Sequence, residues 1–179
     1  MTTLDVLHEA VERLRKLDFS VEVDSPSDQS GETFLDIAKG DFITQVSFRP
    51  NLGIGIFISE AAYGQRPDEV YRNAEKAANR VEQLYRQFEK SGSIGYLTLL
   101  DMRKLNKFSQ VELAEALAIK QPSVNRIEKR ENVKFETLVK LIAAMGGRLE
   151  MRVVFDEMEA RLELPTIKDA AEIPTQKVG

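Results

Sequence analysis

Two hydroxyl and acid pairs set the helix boundaries in the second half of this chain. Thr98 is followed three residues later by Asp101, and Ser109 by Glu112. At that spacing the hydroxyl accepts from a free backbone N–H of the first turn while the carboxylate reaches back, so helices begin near Leu99 and Gln110. A third helix starts near Gln121, because Pro122 is tolerated where first-turn amides have no intrahelical partner to lose. A fourth, "FETLVKLIAAM" (Phe135 to Met145), stops at Gly146-Gly147, a C-terminal signal. The region is a run of short helices in quick succession.

The first half has a different rhythm. Leu4, Leu7, Val11, Leu14 and Leu17 recur at three and four, which predicts an amphipathic helix. The period then drops to two in "FSVEV" (Phe19 to Val23), "TFLDIA" (Thr33 to Ala38), "FITQVSF" (Phe42 to Phe48) and "IGIFIS" (Ile54 to Ser59). Turn formers separate these four strands, so an antiparallel meander is the economical topology. Pro67, with Asp68 and Glu69 behind it, predicts a long helix to about Lys90. Its stripe of Val70, Ala74, Ala77, Val81, Leu84 and Phe88 can cover the sheet or pair with a second copy of itself. "SGSIG" (Ser91 to Gly95) reads as a flexible break between domains.

After the fourth helix, "RLEMRVVF" (Arg148 to Phe155) alternates Leu149, Met151, Val153 and Phe155 on one face, as a strand should. Beyond Leu164, two prolines and few large apolar residues suggest a frayed tail. The expected fold class is α+β. An α-β-β-β-β-α domain with an antiparallel sheet (1–90) is followed by a linker (91–96), an all-α domain with a C-terminal strand (97–155) and a tail (156–179).

Composition narrows the chemistry. With 42% hydrophobic and 30% charged residues the chain has the makeup of a soluble globular protein, and no run approaches the roughly 18 apolar residues of a membrane span. The acidic N-terminus is unlike a signal peptide, so a cytoplasmic protein with no membrane partner is expected. There is no cysteine, and His8 is the single histidine. Thiol nucleophiles, thiolate metal sites and imidazole clusters are therefore excluded, and no metal or other cofactor is expected. Asp36, Asp41 and Glu60 could line a pocket, but their spacing marks neither metal ligands nor a catalytic pair. An enzyme is not expected.

Charge is unevenly spread over a formal net of −4. Residues 1–96 carry 11 basic and 16 acidic side chains, residues 97–130 carry 7 and 4, and residues 131–179 carry 7 and 9. Local sign decides how a surface meets phosphate, so the middle segment is the one to examine. There, "SQVELAEALAIKQPSVNRIE" (Ser109 to Glu128) is a helix, a tight turn and a helix. Leu113, Leu117, Ile119, Val124 and Ile127 are apolar where two crossing helices face one another, and Ala114 is small at their closest approach. Lys120, Gln121, Asn125, Arg126 and Lys129 project from the opposite side of the third helix.

Residues 97–147 resemble the Xre/Cro-type helix-turn-helix family of phage repressors, bacterial regulators and many antitoxins. The likeness rests on Ser-Gln, two residues, Leu-Ala, a short turn and "QPSVNRIE", with Arg103 before the motif. It implies that the third helix lies in the major groove of double-stranded DNA. Lys120, Gln121, Pro122 and Arg126 would stand nearest the bases, with Ser123 and Asn125 close by. Arg suits guanine O6 and N7, and Gln suits adenine N6 and N7. Gln110, Lys129, Arg130 and Lys134 would hold phosphates. Arg103 and Glu128 match a buried ion pair of the family's repressors. Lys107 and Ala118 stand where the family has glycine at left-handed turns, at ~1 kcal/mol each.

The strand after the fourth helix resembles one that, in antitoxin-like members, pairs across a dimer. Leu149, Met151, Val153 and Phe155 would be its dimer face. A lone strand exposes an edge that another chain or the first domain must meet. Twofold pairing would set two recognition helices ~34 Å apart, matching a palindromic operator. The expected function is thus a sequence-specific transcriptional regulator, a dimeric repressor. The alternative is an antitoxin whose acidic first domain neutralises a basic protein toxin while the second autoregulates the operon.

Overall fold

A computed structural model describes residues 3–25, 31–58, 66–130 and 132–162. The chain divides into two compact units, 1–96 and 97–179.

In the first unit, helix α1 (Thr3–Lys16) leads into a five-stranded sheet of β1 (Ser20–Asp24), β2 (Thr33–Lys39), β3 (Phe42–Arg49), β4 (Gly53–Ile56) and β5 (Glu69–Tyr71). The strands run in sequence order and each pairs antiparallel with the next. The period of two explains which side is dry. Leu35, Ile37, Val46, Phe48, Ile54 and Ile56 are buried, and Leu35 stands opposite Val46 and Phe48 opposite Ile54. Ala10, Val11 and Leu14 of α1 join the same core, as do Ala74, Ala77, Ala78, Val81 and Leu84 of helix α2 (Ala74–Ser91). Phe88 packs against it. The α2 stripe is thus spent on its own unit.

Pro67 does not open that helix. α2 starts seven residues later, where Asn73 accepts from Lys76 N–H, and Val70 belongs to a fifth strand instead. The cause is a packing demand that the acid-rich start concealed. Gly55 of β4 has no side chain, and the Pro67 ring lies over it; a Cβ there would stand 2.4 Å from the Pro67 Cγ. Glu69 is taken by Arg80, whose side chain is fully buried and donates to both carboxylate oxygens, Nη2 to Oε1 at 2.8 Å and Nε to Oε2 at 2.9 Å. Tyr71 adds a hydrogen bond from its hydroxyl to Glu69 Oε2 at 2.6 Å. Burial first, and the Glu69 carboxylate second, push the Tyr71 hydroxyl well above its ordinary range.

Arg80 also donates to the Gly95 carbonyl at 2.7 Å, and Ile94 packs on the core. The stretch read as a flexible break is therefore tied to the first unit. Gly92, at φ 68, ends α2 with its N–H on the Phe88 carbonyl.

In the second unit, α3 (Leu99–Leu105), α4 (Gln110–Ala116), α5 (Gln121–Glu128) and α6 (Phe135–Ala144) are followed by β6 (Met151–Phe155) and β7 (Met158–Leu162). Both capping boxes are formed. Leu113, Ala114, Val124 and Leu141 make the core, with Leu99, Leu117 and Ile127 packed against it. Ile119, read as a core residue, is 38% exposed in the turn between α4 and α5. The strand read as lone is one arm of a hairpin, because β7 lies within the segment assigned to the tail and pairs with β6 from Met151↔Leu162 to Phe155↔Met158. Two residues, Asp156 and Glu157, make the turn. Ser59 and the tail beyond Leu162 lie outside the described residues. Among the described residues no helix is long and apolar enough to cross a membrane.

Candidate nucleic-acid interface

The geometry between α4 and α5 follows from one tight turn. Leu117 caps α4, Ala118 takes φ 52, and the Ile119 N–H returns to the Ala114 carbonyl at 2.9 Å. Ala118, like Lys107 (φ 60) after α3, holds the left-handed conformation without the freedom of glycine. The backbone has kept the turn and accepted the strain.

Lys120 is the N-cap of α5, Gln121 its first residue and Pro122 its second, a place where the missing N–H costs nothing. Val124 is fully buried and Ile127 half-buried, while Lys120, Gln121, Pro122 and Arg126 are exposed and Ser123 and Asn125 half-buried. The helix has one dry face and one face of long polar side chains. Lys129, Arg130 and Lys134 are exposed between α5 and α6. No side chain caps the N-terminus of α5 or α6. Their first-turn N–H groups carry the positive end of the helix dipole, which favours an anion.

Behind this face runs a continuous chain of hydrogen bonds. Arg103 of α3 donates to Glu128 at the end of α5, Nε to Oε1 at 2.5 Å and Nη2 to Oε2 at 3.3 Å, and its Nη1 donates to the Phe108 carbonyl at 2.7 Å. Both side chains are nearly buried, at 9% and 4% exposure. Gln110 Nε2 donates to the same Glu128 Oε2 at 2.7 Å, and Gln121 Nε2 donates to Gln110 Oε1 at 2.5 Å. Four side chains thus tie α3, the start of α4 and both ends of α5 together. Sequence reasoning paired Arg103 with Glu128 through the family likeness and assigned Gln110 to phosphate, but it missed the links from Gln110 to Glu128 and Gln121. The signal was an amide at the first position of each of two consecutive helices.

Residues 99–151 match the helix-turn-helix family model. They are a helix-turn-helix domain of the Xre/Cro type. Among solved structures, one described as "DNA bound antitoxin HigA3" is 24% identical, with a TM-score of 0.38, covering 41% of this chain and 97% of that one. Another, "Induced DNA bending by unique dimerization of HigA antitoxin", is 25% identical, with a TM-score of 0.37, covering 40% and 99%. No curated protein matches the chain. The family match ends at Met151, where the hairpin begins.

In the first unit, Asp36 and Asp41 are exposed, and Asp36 accepts from Gln45 Nε2 at 2.8 Å. Glu60 lies outside the described residues. His8 is exposed on α1. Among the described residues no three histidine or acidic side chains are grouped so as to hold a metal ion.

Proposed function

We propose that this chain is a sequence-specific DNA-binding transcriptional regulator that acts as a homodimeric repressor on a palindromic operator in the cytoplasm. The observation that carries this reading is the polar face of α5, held by the Arg103, Glu128, Gln110 and Gln121 chain. That chain fixes α5 against α3 and α4 and holds Gln121, so binding spends little on positioning the helix. Arg126 and Gln121 read bases while Lys129, Arg130 and Lys134 neutralise phosphates. The role is binding rather than catalysis, and no membrane partner is involved.

The test is a fluorescence-anisotropy titration of the full chain on its own promoter DNA and on random duplex over a range of salt. Affinity should fall linearly in log–log terms with a slope of about −0.9 per phosphate neutralised, and the promoter should bind tighter. Equal affinity for both duplexes would reject the reading.

A second role is supported by the charge of the first unit, where residues 1–96 carry 16 acidic against 11 basic side chains. In this reading the chain is also an antitoxin, and that unit holds a small basic toxin. Co-expression with a basic protein encoded beside it, followed by a growth-rescue assay, separates this from a repressor without such a partner.

A further inference from the structure

Composition alone would leave "SGSIG" (Ser91 to Gly95) free to move. Two contacts prevent it. Ile94 packs on the core of the first unit, and the Gly95 carbonyl accepts from Arg80 Nη2 at 2.7 Å. Three residues beyond the Gly92 cap the chain has turned back along α2, beside Gln87 and Arg80. Between Gly95 and Thr98, the cap of α3, only Tyr96 and Leu97 remain, a span of at most ~11 Å. Freed as far back as Gly92, the connection would comprise Ser93 to Leu97 and reach ~21 Å.

What holds this strap is held in turn by the shortest strand of the sheet. Arg80 is fully buried, and its charge is met by Glu69, which accepts from Nη2 at 2.8 Å and from Nε at 2.9 Å. Gln83 adds a contact to Nη1 at 3.4 Å. Glu69 belongs to β5, a three-residue edge strand that pairs with β4 alone among the described strands. An edge element with so few ladder bonds lies at the low-stability end of a fold. Were β5 to lift away, Arg80 would stay behind as a buried cation without its counterion, which a fold does not sustain. The guanidinium must then follow Glu69 or admit water, and either breaks its bond to Gly95. Gln87, whose side-chain amide lies against Gly95, keeps its Oε1 buried and without a hydrogen bond among the described residues. Opening the strap would wet that oxygen, so the closed state carries a cost of its own. We propose that Arg80 is a latch on the connection between the two units: closed, it leaves two free residues before the cap of α3, and displacement of β5 opens it. The device is independent of what either unit binds.

Tyr96 is 60% exposed and offers chymotrypsin a site, yet a protease must draw several residues on each side of the bond into extended form. The latch holds one side and the α3 capping box the other. The full chain should therefore be cut slowly at the Tyr96–Leu97 bond, followed by fragment mass. A variant with Gly-Ser-Gly-Ser inserted between Tyr96 and Leu97 should be cut about tenfold faster or more. Equal rates would overturn the latch. Glu69→Met together with Arg80→Met removes the ion pair without stranding a charge. This double variant should keep its strand signal in circular dichroism and be cut about tenfold faster than the unaltered chain. An unaltered rate would show that Ile94 alone holds the strap and would remove Arg80 from the role. Should the double variant lose its strand signal, Arg80→Lys takes its place, since an ammonium keeps the charge but lacks the fork that serves Glu69 and Gly95 at once. The same two outcomes apply to it. Gly55→Ala tests the route through β5. Its Cβ would stand 2.4 Å from the Pro67 Cγ, and the atoms it meets, in Pro67 and Ser47, belong to neither Arg80 nor the strap. Hydrogen exchange in β5 and cleavage at Tyr96–Leu97 should rise together in this variant. Faster exchange in β5 with unchanged cleavage would overturn the coupling.

Discussion

Gln121 Nε2 donates to Gln110 Oε1 at 2.5 Å, joining the first residue of α5 to the first residue of α4. A side chain assigned to a base and one assigned to phosphate are therefore a single unit. Gln110→Ala is expected to weaken binding to every duplex and also to loosen discrimination at the base pair met by Gln121. A double-mutant cycle with Gln121→Ala checks this. Additivity within ~0.5 kcal/mol would show the two to be independent.

Arg103→Ala should destabilise the helix-turn-helix domain by ~3 to 5 kcal/mol, because it leaves the Glu128 carboxylate buried with its main cation gone. Arg103→Lys should recover little, since an ammonium cannot repeat the forked contact to both carboxylate oxygens. Replacing Arg103 and Glu128 together by methionine should cost far less than either single change. Urea denaturation of the full chain, followed by helical circular dichroism, gives all three values.

Arg126→Ala should cost ~1 to 3 kcal/mol on the preferred operator and relax selectivity at one base pair. Lys129→Ala, Arg130→Ala and Lys134→Ala should instead weaken all sequences and reduce the salt slope by about 0.9 each. A substitution that lowers affinity but leaves the slope untouched would remove that residue from the phosphate set.

Lys107→Gly and Ala118→Gly should each stabilise the domain by up to ~1 kcal/mol, since both positions hold a positive φ that glycine adopts without strain. Thermal melts of the single variants test this. A lowered melting temperature would mean that the lost side chain outweighs the relief.

Glu112 titrates below its ordinary range, chiefly because its carboxylate accepts from the Ser109 backbone N–H at 2.7 Å. A depressed folded-state value means that the capping interaction is present above the unfolded glutamate's titration point. It is lost as the pH falls through the lowered one. Carboxylate chemical shifts should show Glu112 titrating at a more acid pH in the folded chain than in the urea-unfolded chain. In a Ser109→Ala variant the backbone donor remains, so the value should rise only part of the way.

The helix-turn-helix domain was legible because the starts of its first three helices are chemically marked within four residues. Thr98 with Asp101, Ser109 with Glu112, and Pro122 all report on orphan N–H groups, which are a local matter. The same local reading failed at Pro67. There the residue that decides is Gly55, twelve positions earlier, whose bare Cα admits the proline ring. Arg80 was hidden for a similar reason. It lies on a helix between buried Ala77 and Val81, and the partners that satisfy its buried guanidinium, Glu69 and the Gly95 carbonyl, come in from distant parts of the chain, with Gln83 of the same helix adding a contact at 3.4 Å. β7 was missed because "MEARL" carries a weak alternation that gains meaning only opposite Met151 to Phe155. At the interface, the family likeness identified the residues, but the hydrogen bonds that link them join side chains up to 25 positions apart.

Two contacts hold the end of β4 to the residues that lead into β5. The Ile58 N–H donates to Asp68 Oδ2 at 2.8 Å, and the Pro67 ring rests on Gly55. Both contacts join described residues and do not depend on how many residues lie between Ile58 and Arg66. Doubling the length of such a connection costs only about 0.6 kcal/mol in closure entropy. An epitope or a fluorescent reporter spliced in between Ile58 and Arg66 should consequently leave the pairing of β4 with β5 and the core beneath the sheet as they are.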